Sequence, residues 1–529
     1  MLQSNLKAVV SMLILLTLAA CGGGGGGGDD TPLAVTTPPA NNNTNDGGAA
    51  TEADDPTGLD ADLLALTEAA GLIGNASFNR TVPSIEDPLP QLGRALFFSK
   101  SLSGEFDVAC VSCHHPTLGG ADALTLPVGV GSNTPELLGP GRVHEADGIP
   151  NVPRNSPTVF NIAIWDSGLF FDSRVESFGK EEFANGSVSD IRTPDVDFGN
   201  ADPNAGLNLA AAQARFPVTS FEEMRGTQFE SGNDNNAVRD HLAARLGGYG
   251  IGAGELSNNE WLAAFQAGLE TSSDAETIVT ADNVALALGA YQRSMMFTNN
   301  PFSDYLAGDM EALTEQQKRG AILFFTPAEQ GGGHCSQCHA GDKFTDELHH
   351  TVAFPQIGHG KGDGVSDDFG RERETNAPDD RYRFRTPSLL NIAQTAPYGH
   401  TGAYASLNEV LQHYNNPRGT VDDFFEEGGV CGLDQFEDIN NCDNLYPQAQ
   451  SNSDLALDKL AQERTEGTTL FVDIDLNNGE RADIVAFLGS LTDPCIMDRA
   501  CLAPWIPEAG TGGPDGNQLD AVDNSGDLL

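Results

Sequence analysis

The chain has 529 residues, of which 28 are basic and 76 acidic, giving a formal charge of −48. That excess excludes nucleic acid as a partner and favours a basic protein partner, with a solvated acidic surface accounting for part of it. Its length is enough for two or three domains.

Lys7 precedes an apolar run from Ala8 to Leu18 that closes on Leu18-Ala19-Ala20-Cys21. This is a short h-region ending in small residues, too short to span a membrane, and it resembles a bacterial lipoprotein signal. Residues 1–21 are therefore expected to be a signal peptide, with Cys21 the lipid-bearing first residue of the mature chain. Gly22 stands where an aspartate is associated with inner-membrane retention, so the expectation is an outer-membrane anchor facing the periplasm. Residues 22–57, seven glycines followed by Asp, Thr, Pro and Asn, read as a flexible linker that cannot bury a core.

From Gly58 the pattern becomes mostly helical, with long loops rich in Gly, Pro and Asn and little strand-like alternation. Leu92–Phe98 and Arg319–Phe325 are two similar amphipathic phrases, a weak internal duplication. Each precedes a Cys-x-x-Cys-His motif, Cys110-Val-Ser-Cys113-His114 and Cys335-Ser-Gln-Cys338-His339. In a c-type cytochrome two such thiols form thioethers to haem and the histidine ligates its iron. A zinc site or redox dithiol uses Cys-x-x-Cys without requiring that histidine. Two covalent haems are the expected cofactors.

Further helices are predicted over Ala281–Ser294, Leu407–Tyr414 and Arg481–Leu491. Asp473 to Gly479 imitates a calcium loop, but its glycine falls one place late and no glutamate closes it, so it reads as the capped start of the last helix. Cys431, Cys442, Cys495 and Cys501 remain after haem and lipid. Their simplest pairing is Cys431 with Cys442 and Cys495 with Cys501, which the sequence does not determine. Residues 508–529, rich in Gly and Asp, are expected to be a disordered acidic tail. The fold class expected is all-α, with two cytochrome-c-like haem domains at 58–310 and 311–507.

Several phrases then occur in family order: Gln91 to Phe98, Pro153 to Asn161, Phe171-Asp-Ser-Arg174, Phe384 to Asn391 and Thr395 to Gly402, with the two haem motifs. In these the chain resembles the bacterial di-haem cytochrome c peroxidase and MauG family from Leu59 to Trp505. The resemblance implies a calcium ion between the domains, held by Asn155 and the carbonyls of Thr395 and Pro397, with water completing its oxygen shell. It also implies that the C-terminal haem takes its second axial ligand fourteen residues after His400. That position is Tyr414, as in MauG, where the peroxidases have methionine. Met295 and Met310 are the alternatives.

At the first haem, many family members carry a distal histidine sixteen residues beyond the motif histidine. Here that place is Val130, which leaves the iron of His114 open to peroxide unless His144 substitutes. His115 reads as a surface residue. Glu223, immediately before Met224, aligns with the family's proton-transferring glutamate, and Glu222 is its rival. Phe171 stands where the family commonly has an inter-haem tryptophan, and Trp165 is the candidate replacement.

The function so implied is a periplasmic di-haem peroxidase reducing hydrogen peroxide with electrons from a small cytochrome c or copper protein. The alternatives are a MauG-like oxidase that modifies side chains of a partner protein, or a plain electron-transfer cytochrome.

Overall fold

The computed structural model describes residues 58–529. The signal peptide, Cys21 and the linker lie outside them. Among the described residues no helix is long and apolar enough to cross a membrane.

The architecture is mostly helical, and the same device builds both halves. In the helix Pro88–Phe97, Leu92, Leu96 and Phe97 are buried, and Gly93 lies so close to the helix Ala281–Ser294 that a Cβ would sit 2.0 Å from the Ala287 carbonyl oxygen. In the helix Glu315–Phe325, Gly320 occupies the matching place, and its Cβ would sit 1.9 Å from the Asp483 carbonyl oxygen of the helix Asn478–Gly489. Only glycine permits either crossing. The duplicated phrase thus encodes a duplicated helix crossing upstream of each haem motif.

The predicted helices are present over Ala281–Ser294, Leu407–Asn415 and Asn478–Gly489. Asn477 caps the last one by accepting from Gly479 N and Glu480 N, while Glu480 accepts from Asn477 N at 2.8 Å. This capping box occupies the calcium-like stretch. Helices at Asn235–Gly247 and Ala449–Glu466 were not predicted.

The expected helical class is present in the coarser sense of a mostly helical chain, with two small antiparallel sheets added to it. One joins Gly168–Leu169, Val175–Ser177 and Ile191–Arg192; the other pairs His349–Thr351 with Arg383–Arg385 in the register His349↔Arg385. Strands of two or three residues are too short to show alternation.

The largest correction concerns residues 508–529, which are packed rather than disordered. Leu519 is 1% exposed, and its amide donates to the Phe98 carbonyl at 2.8 Å. Leu138 N donates to Val522 O at 3.0 Å, and the Asp515 carboxylate accepts from Ser101 Oγ and Trp261 Nε1, each at 2.6 Å. These tertiary acceptors fix a segment whose composition alone would leave it unfolded.

Two large apolar cores follow. One contains Leu96, Val111, Leu242, Trp261 and Tyr291 together with Ile496, Leu502 and Leu519 from the C-terminal end. The other contains Phe324, Phe344, Leu411 and Phe487 together with Leu63 from the helix Gly58–Ala69. Lys318 Nζ lies 2.6 Å from Asp60 Oδ1, which pins that first helix to the C-terminal half. The cysteines pair as Cys431–Cys442 and Cys495–Cys501.

Candidate active site

One cavity of about 410 Å³ is lined by both haem motifs, Cys110, Cys113 and His114 on one side and Cys335, Cys338 and His339 on the other. Both motifs open with the same local turn, a single 3₁₀ turn at Cys110–Ser112 and at Cys335–Gln337. None of these four cysteines is in a disulfide.

The two histidines are held alike. His114 Nδ1 lies 3.2 Å from the Gly120 carbonyl oxygen, and His339 Nδ1 lies 3.1 Å from that of Phe344. Each carbonyl accepts the Nδ1 proton, so Nε2 carries the free lone pair, as iron ligation requires. Burial pulls His114 down to about 4 and also lowers His339, so both rings are neutral at pH 7. Paired thiols beside a neutral imidazole in one cavity fit covalent haem on each motif.

Tyr414 projects into this cavity from the helix Leu407–Asn415, which a Ser406–Glu409 capping box starts. Its ring packs against Phe354 and Phe471 at 6.2 and 5.1 Å between centroids. Burial pushes its phenol well above the usual range, with the Cys338 and Cys335 sulfurs adding to the effect. Among the described residues its hydroxyl has no hydrogen-bond partner, unlike Tyr404, which bonds His413 Nδ1 at 2.8 Å. Neither Met295 nor Met310 lines the cavity; Met295 is 1% exposed in the N-terminal core and Met310 packs on the other.

Glu223 also lines the cavity, and Glu222 does not. Both sit in a π-turn, Phe221–Arg225, capped by Ser220, whose hydroxyl accepts from Glu223 N at 3.3 Å and donates to Glu222 Oε2 at 3.0 Å. Burial raises the Glu223 carboxyl above its ordinary value, while Arg174 and Lys361 oppose that rise.

Val130 N donates to the Glu222 carbonyl at 3.1 Å, which ties the Val130 loop to the same turn. Gly129 N donates to Asn151 Oδ1 at 2.9 Å, and Arg142 Nε donates to Val128 O at 2.8 Å. His144 lies outside the cavity lining, its Nδ1 3.3 Å from Asp147. It is not brought to the His114 site. His115 is corrected from surface to interior: it is 1% exposed, 2.7 Å from Thr117 Oγ1 and edge-on to Phe98, because the C-terminal segment covers it.

Asn155, Thr395 and Pro397 each line the cavity. Asn155 Nδ2 donates to the Leu124 carbonyl at 2.8 Å, which uses its amide nitrogen as a donor.

The cavity wall also carries Trp165, Phe170 and Phe171. The Arg385 guanidinium lies 3.6 Å from the Trp165 ring centroid and donates to the Phe170 carbonyl at 3.0 Å, while its backbone N–H donates to Phe171 O at 2.8 Å. Sequence reasoning missed Arg385, Lys361 and the buried triad in which Arg154 bonds Asp172 and Asp368, both at 2.6 Å. The triad had a signal, since Arg154 and Asp172 lie inside phrases already singled out.

A duplicated helix crossing, two haem-binding loops and one shared cavity define a di-haem c-type cytochrome with a carboxylate on its inner wall. Residues 88–311 match the family model described as di-haem cytochrome c peroxidase. Over 325 residues the chain is 28% identical to the methylamine utilization protein MauG of Methylorubrum extorquens, covering 61% of this chain and 67% of that one. Over 335 residues it is 28% identical to the cytochrome c551 peroxidase of Pseudomonas aeruginosa, covering 63% and 73%. A solved MauG-like protein associated with microbial copper homeostasis aligns at 23% identity and a TM-score of 0.49, over 80% of this chain and 95% of that one. The chain is thus similar, over its N-terminal haem half and in its relatives, to the di-haem cytochrome c peroxidase and MauG family.

Proposed function

We propose that the chain is a periplasmic di-haem peroxidase, with one haem c in each half, that reduces hydrogen peroxide to two waters using two protons and two electrons from an external donor. The observation that carries this is the single cavity joining both haem motifs with Glu223 on its wall. When bound, the two haems supply the iron that cleaves peroxide and the route by which electrons reach it.

The protein's own groups do the rest. Gly120 and Phe344 orient the two ligating imidazoles through their carbonyls. Glu223 takes a proton from the near oxygen of peroxide and returns it to the far one, which then departs as water. Tyr414 would hold the iron of the His339 haem through its phenol oxygen, and Asn155, Thr395 and Pro397 would offer oxygens to a calcium ion. The formal charge of −48 suits a basic cytochrome c or copper protein as donor. Cys21 anchors the chain by lipid to the outer membrane.

The second reading is an oxidase that draws its electrons from side chains of a partner protein. Tyr414 favours it, because an anionic oxygen ligand stabilises oxidised iron more than a thioether does.

Glu223→Gln tests the proton role. It keeps the size of the side chain but cannot accept a proton, so the stopped-flow rate with peroxide should fall about 10²- to 10⁴-fold while ferric spectra stay normal. A comparable loss in Glu222→Gln instead would move the role by one residue. No loss in either variant would end it.

A further inference from the structure

Among the described residues Glu223 is the only carboxylate that lines the inner cavity, and four Arg and Lys side chains line it too: Arg154, Arg174, Lys361 and Arg385. Three of the four have occupations. Arg154 is paired with Asp172 and Asp368, Arg174 lies 3.4 Å from Asp172 and over the Phe170 ring, and Arg385 stacks on Trp165 and donates to carbonyls. The Lys361 ammonium has no salt-bridge partner among the described residues.

Its backbone is nevertheless fixed. Lys361 N donates to Asp367 O at 3.1 Å, and Arg373 NH1 donates to Lys361 O at 2.8 Å. Gly360, at φ +62°, brings the loop so close that a Cβ would lie 2.2 Å from the Asp367 carbonyl oxygen. A half-buried ammonium held on a loop tied this firmly needs a nearby anion or water to offset its partial desolvation.

We propose that Lys361 is the positioning residue for Glu223, an ammonium that keeps the carboxylate ionised and turned into the cavity. The inference rests on Glu223 being the proton carrier. A carboxylate in an apolar pocket takes up a proton and ceases to be a base. Burial does raise Glu223, Glu222 adds to that, and Arg174 and Lys361 oppose it. Lys361 is in turn brought down to about 8 by burial, with Arg174 and Arg154 adding and Glu223 and Asp172 opposing, so it remains charged at pH 7. His359 also faces this cluster, and burial keeps it neutral. Cys110 and Cys113 face it too, and their sulfurs carry no charge as thioethers.

The experiment is an infrared pH titration of the holoenzyme. The protonated-carboxyl band of Glu223 is assigned by its loss in Glu223→Gln. Lys361→Met should raise the midpoint of that band by about one pH unit, so that on the acid limb the peroxide rate falls about tenfold, and Lys361→Arg should restore both. Lys361→Gln gives the same readout should the methionine variant fail to fold. An unmoved midpoint with normal haem content overturns the proposal. So does an unmoved midpoint with a changed potential of the His114 haem, because Lys361 then serves a haem carboxylate. If the midpoint moves but Glu223→Gln keeps the full peroxide rate, the pairing stands and the proton-carrier reading fails.

Discussion

Asp515→Ala should release the C-terminal segment while leaving the haem ligands in place. The Asp515 side chain is 6% exposed, and Oδ2 accepts from Ser101 Oγ and Trp261 Nε1 at 2.6 Å each, while Oδ1 accepts from Asn517 N at 2.9 Å. Ser101 and Trp261 are both 0% exposed, so removing the acceptor strands two buried donors. Each costs about 1–3 kcal/mol, and partial entry of water brings the sum to about 3 kcal/mol. Local opening should then rise about 10²-fold. Hydrogen exchange reads this at three amides: Leu519, bonded to Phe98 O; Lys100, bonded to Asn517 O; and Leu138, bonded to Val522 O. All three should accelerate together, while amides of the helix Asn478–Gly489 keep their rates. Asp515→Asn retains an acceptor and should show a smaller effect. Unchanged exchange at the three amides, or equal acceleration throughout the chain, would refute the reasoning.

Tyr414→Met should raise the potential of the C-terminal haem by exchanging an anionic oxygen for a neutral sulfur, and a spectroelectrochemical titration measures it. An identical potential and low-spin spectrum would remove Tyr414 from the iron. The Arg154 triad makes stability sensitive to acid. Burial works to raise Asp368, but its bonds to Arg154 Nε and NH2 at 2.6 and 2.8 Å outweigh it and hold the carboxyl at about 2. Its stabilisation is therefore complete above the unfolded value of about 3.9 and is lost as pH falls through about 2, a change of about 2–3 kcal/mol. Urea unfolding of Asp368→Asn between those pH values should show a shallower dependence than the parent chain, and equal slopes would count against the triad.

The Cys-x-x-Cys-His loops were legible because each is one short phrase, whereas Tyr414 and Glu223 were implied by the family resemblance, and both line the cavity. The duplicated helices were legible for a related reason: Gly93 and Gly320 fall at the same place in matching apolar patterns. Lys361 was not, because it sits in a glycine-rich loop whose partner, Glu223, is 138 residues earlier in the chain. The helix Ala449–Glu466 escaped notice because its buried positions, such as Asn452, Ser453 and Glu463, include polar side chains that break the apolar stripe. His115 and the C-terminal segment were misread together. Each looks solvated in sequence, and each is buried only by the other's neighbourhood, a fact of tertiary contact that composition does not carry.

The ends of the described chain are exchanged between the cores. Leu63 near the beginning belongs with Phe324 and Phe487, and Leu519 near the end belongs with Leu96 and Trp261. A gene fragment cut between the two haem motifs would therefore encode two pieces that each lack part of their own interior. Recombination that swaps one half for a homologous half must also carry the matching terminal segment from the other side of the cut. The two halves are thus inherited together unless each terminal segment travels with the core that it fills.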